Sequence, residues 1–418
     1  VSSFSNIGSR LSAPSGIQEL MDDLGESLTR SPDMRMLGGG QPAAIPEVQS
    51  LWRNRVQEMV DSGVMDRALL NYDPPLGNPI FRETFAAFLK RECGWDVTAD
   101  HIAVLPSSQT AFFLLFNLLA GESAGGKKRI LLPLAPEYIG YANQGMCDGM
   151  FVSHQPIIEE HRDHEFKYRV DFDRVRITPD IAAICVSCPT NPSGNVLSLE
   201  EYERLYALAQ EHAIPFIVDN AYGHPFPDVV HTGFTAHWKP GMIFSISMSK
   251  VGLPGVRNAM IVAPPEIVQA LGRMNAIVSL ANGNIGQAML MPFLKDDSLL
   301  KVSRETIRPF YKKKTDFAVG LLHSLLGDKI PWSLHERDGA FFLWLWLKEL
   351  NCTSAEFYQR LKRRQVLIIP GHYFFFGLEN PGWKHTQQCL RLTVSQNETV
   401  VREGLEILAD EAVKALGR

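Results

Sequence analysis

No stretch of this 418-residue chain is apolar enough for long enough to span a membrane: the densest apolar run, residues 340–347, falls far short of the roughly 20 residues a spanning helix needs. Charge of one sign is also lacking. With 41 Lys and Arg against 46 Asp and Glu, the net charge is −5 and no long run of either sign occurs. That argues against a nucleic acid or an anionic membrane as partner, because both select a concentrated basic surface. Cysteine is scarce, six residues at 93, 147, 185, 188, 352 and 389, too scattered for a disulfide framework. Cys185-Val186-Ser187-Cys188 has no second pair at zinc-finger spacing and ends an apolar run, so it reads as buried thiols rather than a metal site. A GxGxxG fingerprint is missing too; Gly38-Gly39-Gly40 lacks the spacing, which counts against a nucleotide-dependent Rossmann enzyme. Val1-Ser2-Ser3-Phe4 carries neither the basic nor the apolar region of a signal peptide. A cytoplasmic enzyme is the expectation, with no membrane and no nucleic acid among its partners.

What is present is ordinary globular material, 45% apolar and 21% charged, enough chain for about two to three domains. Short apolar runs alternate with amphipathic stretches through the middle. Strands are expected at 102–105, 130–134, 181–187, 215–218, 243–247 and 259–262, with helices at 108–120, from about Glu137, and at 198–212. The last of these opens on a capping box, Ser198 with Glu201. This alternation predicts an α/β fold with a large, mostly parallel sheet covered by helices, whose ligands sit beyond the carboxyl ends of the strands. From Ser298 the pattern changes. Residues 298–326 read as one long helix with a break at Pro309, followed by strands at 340–347, 366–369 and 390–394 and helices at 354–364 and 398–416, a smaller α+β domain. The first 45 residues have no clear period and are expected to wrap over the rest. The division is therefore 46–297 for the large domain, and 1–45 with 298–418 for the small domain and its N-terminal arm.

Four strand ends carry unusual polar residues. The run 102–105 leads into Pro106-Ser107-Ser108-Gln109, hydroxyls opening a helix, which suits either an anion or simple N-capping. The run 181–187 leads into Pro189-Thr190-Asn191-Pro192-Ser193-Gly194, a loop stiffened by two prolines. The run 215–218 ends in Asp219-Asn220-Ala221-Tyr222. An aspartate ending a buried strand is costly unless it meets a cation or donors, although a helix N-cap reads equally well. Last comes Ser247-Met248-Ser249-Lys250, followed by Pro254-Gly255-Val256-Arg257. A lysine held in an apolar cleft loses proton affinity and can attack a carbonyl to form a Schiff base; taken alone, the same lysine is more readily a solvated loop residue.

Together these segments carry a resemblance. Asn191-Pro-x-Gly, Asp219-x-Ala-Tyr222, and Ser247-x-Ser-Lys250 with Pro254-Gly255-x-Arg257, spaced by 28 and then 31 residues, resemble the aspartate-aminotransferase superfamily, fold type I of the pyridoxal 5′-phosphate (PLP) enzymes. Leu37 to Pro42 is similar to that family's N-terminal glycine loop, Asn71-Tyr72…Gly77…Phe81-Arg82-Glu83 to its tyrosine-bearing segment, and Gly339-Ala-Phe-Phe, Pro370-Gly371 and Leu390-Arg391-Leu392 to its small domain. Three stretches, residues 135–142, 370–375 and 219–222, resemble the bacterial, alanine-forming branch that exchanges an amino group between valine and pyruvate. Three departures stand out: Pro106-Ser107 where relatives usually have glycine, Arg257-Asn258-Ala259 where Arg-x-Gly is common, and Ser193 where threonine is frequent.

The resemblance implies a role for each residue. Lys250 is the Schiff-base lysine and then the base that moves a proton; Asp219 keeps the cofactor's ring nitrogen protonated. Asn191 and Tyr222 bond the ring oxygen, and Tyr138 stacks on the ring. Ser108, Gln109, Ser247 and Arg257 hold the phosphate, and Tyr72 reaches in from a second subunit, which implies a homodimer with shared sites. Arg391 takes the α-carboxylate of the amino-acid or 2-oxo-acid substrate, assisted by a backbone N–H of Gly39 or Gly40. Ile17 closes over an apolar side chain. The implied reaction is ping-pong transamination of valine plus pyruvate to 3-methyl-2-oxobutanoate plus alanine. Competing readings are a fold type I aminotransferase of other specificity, a carbon–sulfur lyase, and a non-catalytic PLP-binding sensor; the last lacks the expected helix-turn-helix module.

Overall fold

A computed structural model describes residues 4–30, 33–380 and 382–416, so Val1 to Ser3, Ser31 and Pro32 of the expected N-terminal arm, and Pro381, Gly417 and Arg418 of the expected small domain, lie outside the described residues. The strands Ile181–Ser187, Phe216–Asp219 and Ile243–Ser247 are buried almost throughout, as continuous apolar runs covered on both faces must be. They form the centre of an eight-stranded sheet ordered Ile102–Leu105, Ala259–Val262, Ile243–Ser247, Phe216–Asp219, Ile181–Ser187, Gly126–Leu132, Gly121–Ser123, with Phe151–Ser153 also paired to Gly126–Leu132. The central pairs are parallel. Ala259–Val262, however, runs antiparallel to both its neighbours, so the sheet is mixed. Residues 248–258, which lead into that strand, are too few for a helical crossover, and the chain simply turns back.

Because one strand is inverted between them, Ile102–Leu105 and Ile243–Ser247 point the same way, and six carboxyl ends share one edge. Register then sets the site. Asp219 lies opposite both Ser187 and Ser245, and Ala259 lies opposite both Ser247 and Leu105.

The second sheet is ordered Ile369–Pro370, Cys389–Thr393, Phe342–Leu347, Trp332–His335, Glu165–Arg169, Ile157–Glu160. Its last two strands come from within the 46–297 segment, so that segment does not stay in the first sheet: Leu334 pairs with Glu165 in parallel. The N-terminal arm pairs with the second unit through Arg35–Met36 and Val366–Leu367.

Three local expectations change. No regular helix starts at Glu137; only a short turn, Ile139–Tyr141, forms, in a segment punctuated by Pro136, Gly140 and Gly145 that are poor helix residues. Pro309 does not break the long helix. The wider π turn Val302–Ile307 precedes Arg308–Leu326 and leaves the proline in the first turn of that helix, where its missing N–H is harmless. The N-terminal arm is helical, with Asn6–Leu11 and Gly16–Arg30. The capping box at Ser198 forms, its hydroxyl accepting from Glu201 N at 3.1 Å and the Glu201 carboxylate accepting from Ser198 N at 2.8 Å. Among the described residues no helix is long and apolar enough to cross a membrane, and no group of three or more His, Cys, Asp and Glu could hold a metal.

Candidate active site

The shared strand edge opens into a cleft between the two sheets. Lys250, Asp219, Tyr222, Asn191, Ser108, Gln109, Ser247, Tyr138, Arg257 and Arg391 all line it, along with Gly40 and Ile17. Two expected residues do not. Gly39 is buried behind the wall, because its neighbour Gly38 packs so tightly that a Cβ there would meet Leu367 Cδ2 at 2.4 Å; only Gly40 of the loop reaches the cleft. Tyr72 is 84% exposed and contributes nothing to the cleft of its own chain.

Lys250 follows the buried strand Ile243–Ser247 and is only partly buried. Its Nζ donates a 2.7 Å hydrogen bond to Gly40 O and stands 5.5 Å from the Tyr222 ring centroid and 5.8 Å from that of Phe341. Burial, with Arg391 and Arg257 nearby, pulls this amine down to about 8 although Asp219 opposes the shift. Asp219 is pushed the other way, up to about 6, chiefly by burial and against the Tyr141 hydrogen bond. Tyr141 donates to Oδ2 at 2.6 Å, and Oδ1 is buried without a partner. An orphaned carboxylate oxygen aimed into a cleft calls for an N–H or a cation, and a protonated ring nitrogen fits it.

The phosphate end is built on the helix Ser108–Leu119. Ser107 is its N-cap, accepting from Thr110 N at 3.1 Å, so the capping role falls to Ser107 and leaves Ser108 to face the cleft, 3.1 Å from Ser245 Oγ. Gln109 donates to Gly140 O at 3.0 Å while its Oε1 is buried and unpartnered. A Cβ on Gly140 would lie 2.3 Å from the Tyr138 ring, so glycine is what lets that ring fold over the cleft. Arg257, in the left-handed region at φ 51°, is exposed at the rim. These donors around a helix N-terminus make an anion site.

Across the cleft, Arg391 is 2% exposed on Cys389–Thr393. It donates to Asn191 Oδ1 at 2.8 Å and to Gly38 O at 2.7 Å, packs over Phe342 with its guanidinium carbon 4.5 Å from the centroid, and keeps Nε unpartnered. Burial lowers it to about 10, which leaves it cationic at neutral pH. Asn191 is fixed by its loop: Gly194 sits at φ 75° with Gly339 O only 2.6 Å from where a Cβ would be. The mouth is apolar. Ile17, Leu20 and Met21 of the helix Gly16–Arg30 border it, Met21 while still largely exposed.

Several site residues escape sequence reasoning. Tyr141 and Ser187 line the cleft, and Glu137 is buried behind it, bonded to Ser187. Leu20 and Met21 had a usable signal, since 17, 20 and 21 fall on one helical face. Tyr141 is likewise three residues after Tyr138, one turn on. Glu137 had none: a carboxylate after a strand reads as a helix start.

Known proteins resemble this chain over nearly its whole length. Residues 48–408 match the family described as aminotransferase class I and II. The chain is 44% identical over 413 residues, 99% of it and 98% of the relative, to the valine–pyruvate aminotransferase of Escherichia coli K12. Among solved structures, a putative amino-acid aminotransferase from Psychrobacter arcticum superposes with TM-score 0.95 at 37% identity, covering 99% of both chains. The valine–pyruvate aminotransferase of Salmonella typhimurium LT2 superposes at 0.88 with 43% identity, covering 96% of this chain and 99% of that one.

Proposed function

The chain belongs to the class I and II aminotransferases, and from that premise we propose that it transfers an amino group between L-valine and pyruvate, forming 3-methyl-2-oxobutanoate and L-alanine in alternating half-reactions. One observation carries the reading. The amine of Lys250, the unpartnered oxygen of Asp219 and the guanidinium of Arg391 converge in a single cleft whose mouth is apolar. The choice of valine draws on the E. coli and Salmonella relatives and on Ile17, Leu20 and Met21, which offer a branched alkyl side chain apolar surface and no cation for a second carboxylate.

The family is PLP-dependent, and bound PLP supplies an aldehyde to carry the amino group and a ring to take up the electron pair left at Cα. This chain's residues do the rest. Asp219 Oδ1 would hold a proton on the ring nitrogen, and Asn191 and Tyr222 would donate to the ring oxygen. Tyr138 would cover a ring face. Ser108, Gln109, Ser247 and Arg257 would bind the phosphate. Arg391 grips the substrate carboxylate with both terminal nitrogens, a fork geometry that fixes the Cα–H direction, and Gly40 borders the same space. The Lys250 amine, depressed in basicity by burial, is suited to take that proton once free.

A homodimer belongs to the same reading. Leu69, Leu70, Tyr72, Ile277, Val278 and Leu280 are each more than half exposed. Their two segments are bound together, Asn284 donating to Asn71 O at 2.7 Å and Asn275 to Pro75 O at 2.8 Å. An exposed apolar face around Tyr72 suits a second copy, which would bring that tyrosine to the neighbouring site. A cytoplasmic location accords with six free cysteines.

The test is the half-reaction. Valine or alanine, added alone to the PLP-loaded protein, should convert the cofactor's absorbance to that of its amine form, and Lys250→Ala should abolish this. If both amino acids fail while another succeeds, the substrate assignment is wrong.

A further inference from the structure

Glu137 is an ionisable side chain, 1% exposed, that pairs with no cation among the described residues. Burying a carboxylate this way is costly, and burial pushes it up to about 8 with Asp219 adding to the rise. Three donors offset the cost: Ser187 N to Oε1 at 2.8 Å, Ser187 Oγ to Oε2 at 2.6 Å, and Tyr138 N to Oε2 at 3.1 Å. Each donor belongs to a residue that lines the cleft.

These bonds complete a closed circuit. Ser187 lies opposite Asp219 in the sheet, and Cys188 N donates to Asp219 O at 3.0 Å. Asp219 accepts from Tyr141, whose ring meets that of Tyr138 edge-on with centroids 5.2 Å apart. Tyr138 returns to Glu137 through its own N–H. The Glu137 backbone N–H, meanwhile, donates to Phe374 O at 2.9 Å, in the segment after the second sheet's edge strand.

We propose that Glu137 is a positioning residue for the cofactor ring: its carboxylate clamps the Tyr138 backbone to the end of strand Ile181–Ser187 and so holds the stacking ring at a fixed spacing from Asp219. The inference rests on the reading that this cleft binds PLP. Glu137→Gln separates the arms of the clamp. Its amide oxygen still accepts from Ser187 N–H and its amide nitrogen still donates to the Ser187 hydroxyl, but that nitrogen then faces the Tyr138 N–H donor to donor.

The experiment titrates apoprotein with PLP, and records visible circular dichroism of the bound cofactor beside a far-ultraviolet melt. Glu137→Gln should weaken PLP binding about fivefold, the worth of one hydrogen bond, and reduce the cofactor's induced dichroism while the protein stays folded. Ser187→Ala, which removes only the hydroxyl arm, should move both readouts in the same direction by less. A lower melting temperature with unchanged dichroism and PLP affinity would reduce Glu137 to a structural role and overturn the proposal. Should Glu137→Gln fail to fold, Ser187→Ala decides alone by the same two readouts. Wild-type protein with no visible cofactor band would instead remove the underlying reading, and the clamp with it.

Discussion

Tyr141 and Asp219 are joined by a 2.6 Å hydrogen bond to Oδ2, which leaves Oδ1 free and turned into the cleft. The phenol thus orients the carboxylate and supports its charge in a site where burial disfavours it. Tyr141→Phe removes this donor and nothing else that is polar. Turnover of valine should fall by roughly tenfold or more, in line with the loss of a hydrogen bond to a charged group. Single-turnover rates measured at saturating cofactor check this, and an unchanged rate would contradict the orienting role.

Asp219 also makes the apoprotein's stability depend on pH. Its carboxyl is raised from 3.8 to about 6 in the folded chain. The folded state therefore binds this proton more tightly than the unfolded state, so stability falls as pH climbs from about 4 to about 6 and the full penalty persists above. Asp219→Asn relieves it. The variant apoprotein should melt higher than wild type at pH 7.5, by on the order of 2–3 kcal/mol in stability, and match it near pH 4, while transamination collapses. Equal melting temperatures at both pH values would show that burial of this charge is not destabilising.

For Lys250 the shift has the opposite sense. An amine lowered to about 8 is far more often unprotonated at neutral pH than a solvated lysine near about 10.4. Capture of PLP by the apoprotein, followed by absorbance, should accelerate with pH to an inflection near 8. An inflection close to that of a free lysine would mean that the cleft leaves the amine unperturbed.

Substrate choice should reside in the N-terminal helix. Leu20→Ala, and more strongly the Ile17→Ala/Leu20→Ala pair, should reduce kcat/KM for valine by about tenfold, the scale of a few lost methylene contacts, with a much smaller change for alanine. Half-reaction rates on both amino acids test this. Parallel losses would move the specificity elsewhere in the cleft.

Much of this site is legible in the sequence because its residues end buried strands. Asp219 and Ser247 close apolar runs that the sheet covers on both faces, and Lys250 lies in the turn just past Ser247, so polar groups there have only the strand edge to occupy. Other features depend on packing between distant segments. The hairpin 157–169 is not legible in the sequence: its first strand is largely exposed and lacks a buried apolar face, and nothing local says which sheet it joins. The antiparallel placement of Ala259–Val262 follows from the short connection that leads into it. Glu137 resembles the start of a helix because a carboxylate is common there; its burial depends on Ser187.

By itself the sequence determined which chemical groups the protein carries and their order at the strand ends, since apolar runs must be buried and their polar termini cannot be. Tertiary structure alone decided what meets what. Arg391 reaches Asn191 across 200 residues of chain, the helix holding Ile17 and Leu20 comes to rest over Lys250's cleft, and Glu137 closes on Ser187. Those contacts are set by how the two sheets and the N-terminal arm pack together, a long-range balance that no local pattern encodes.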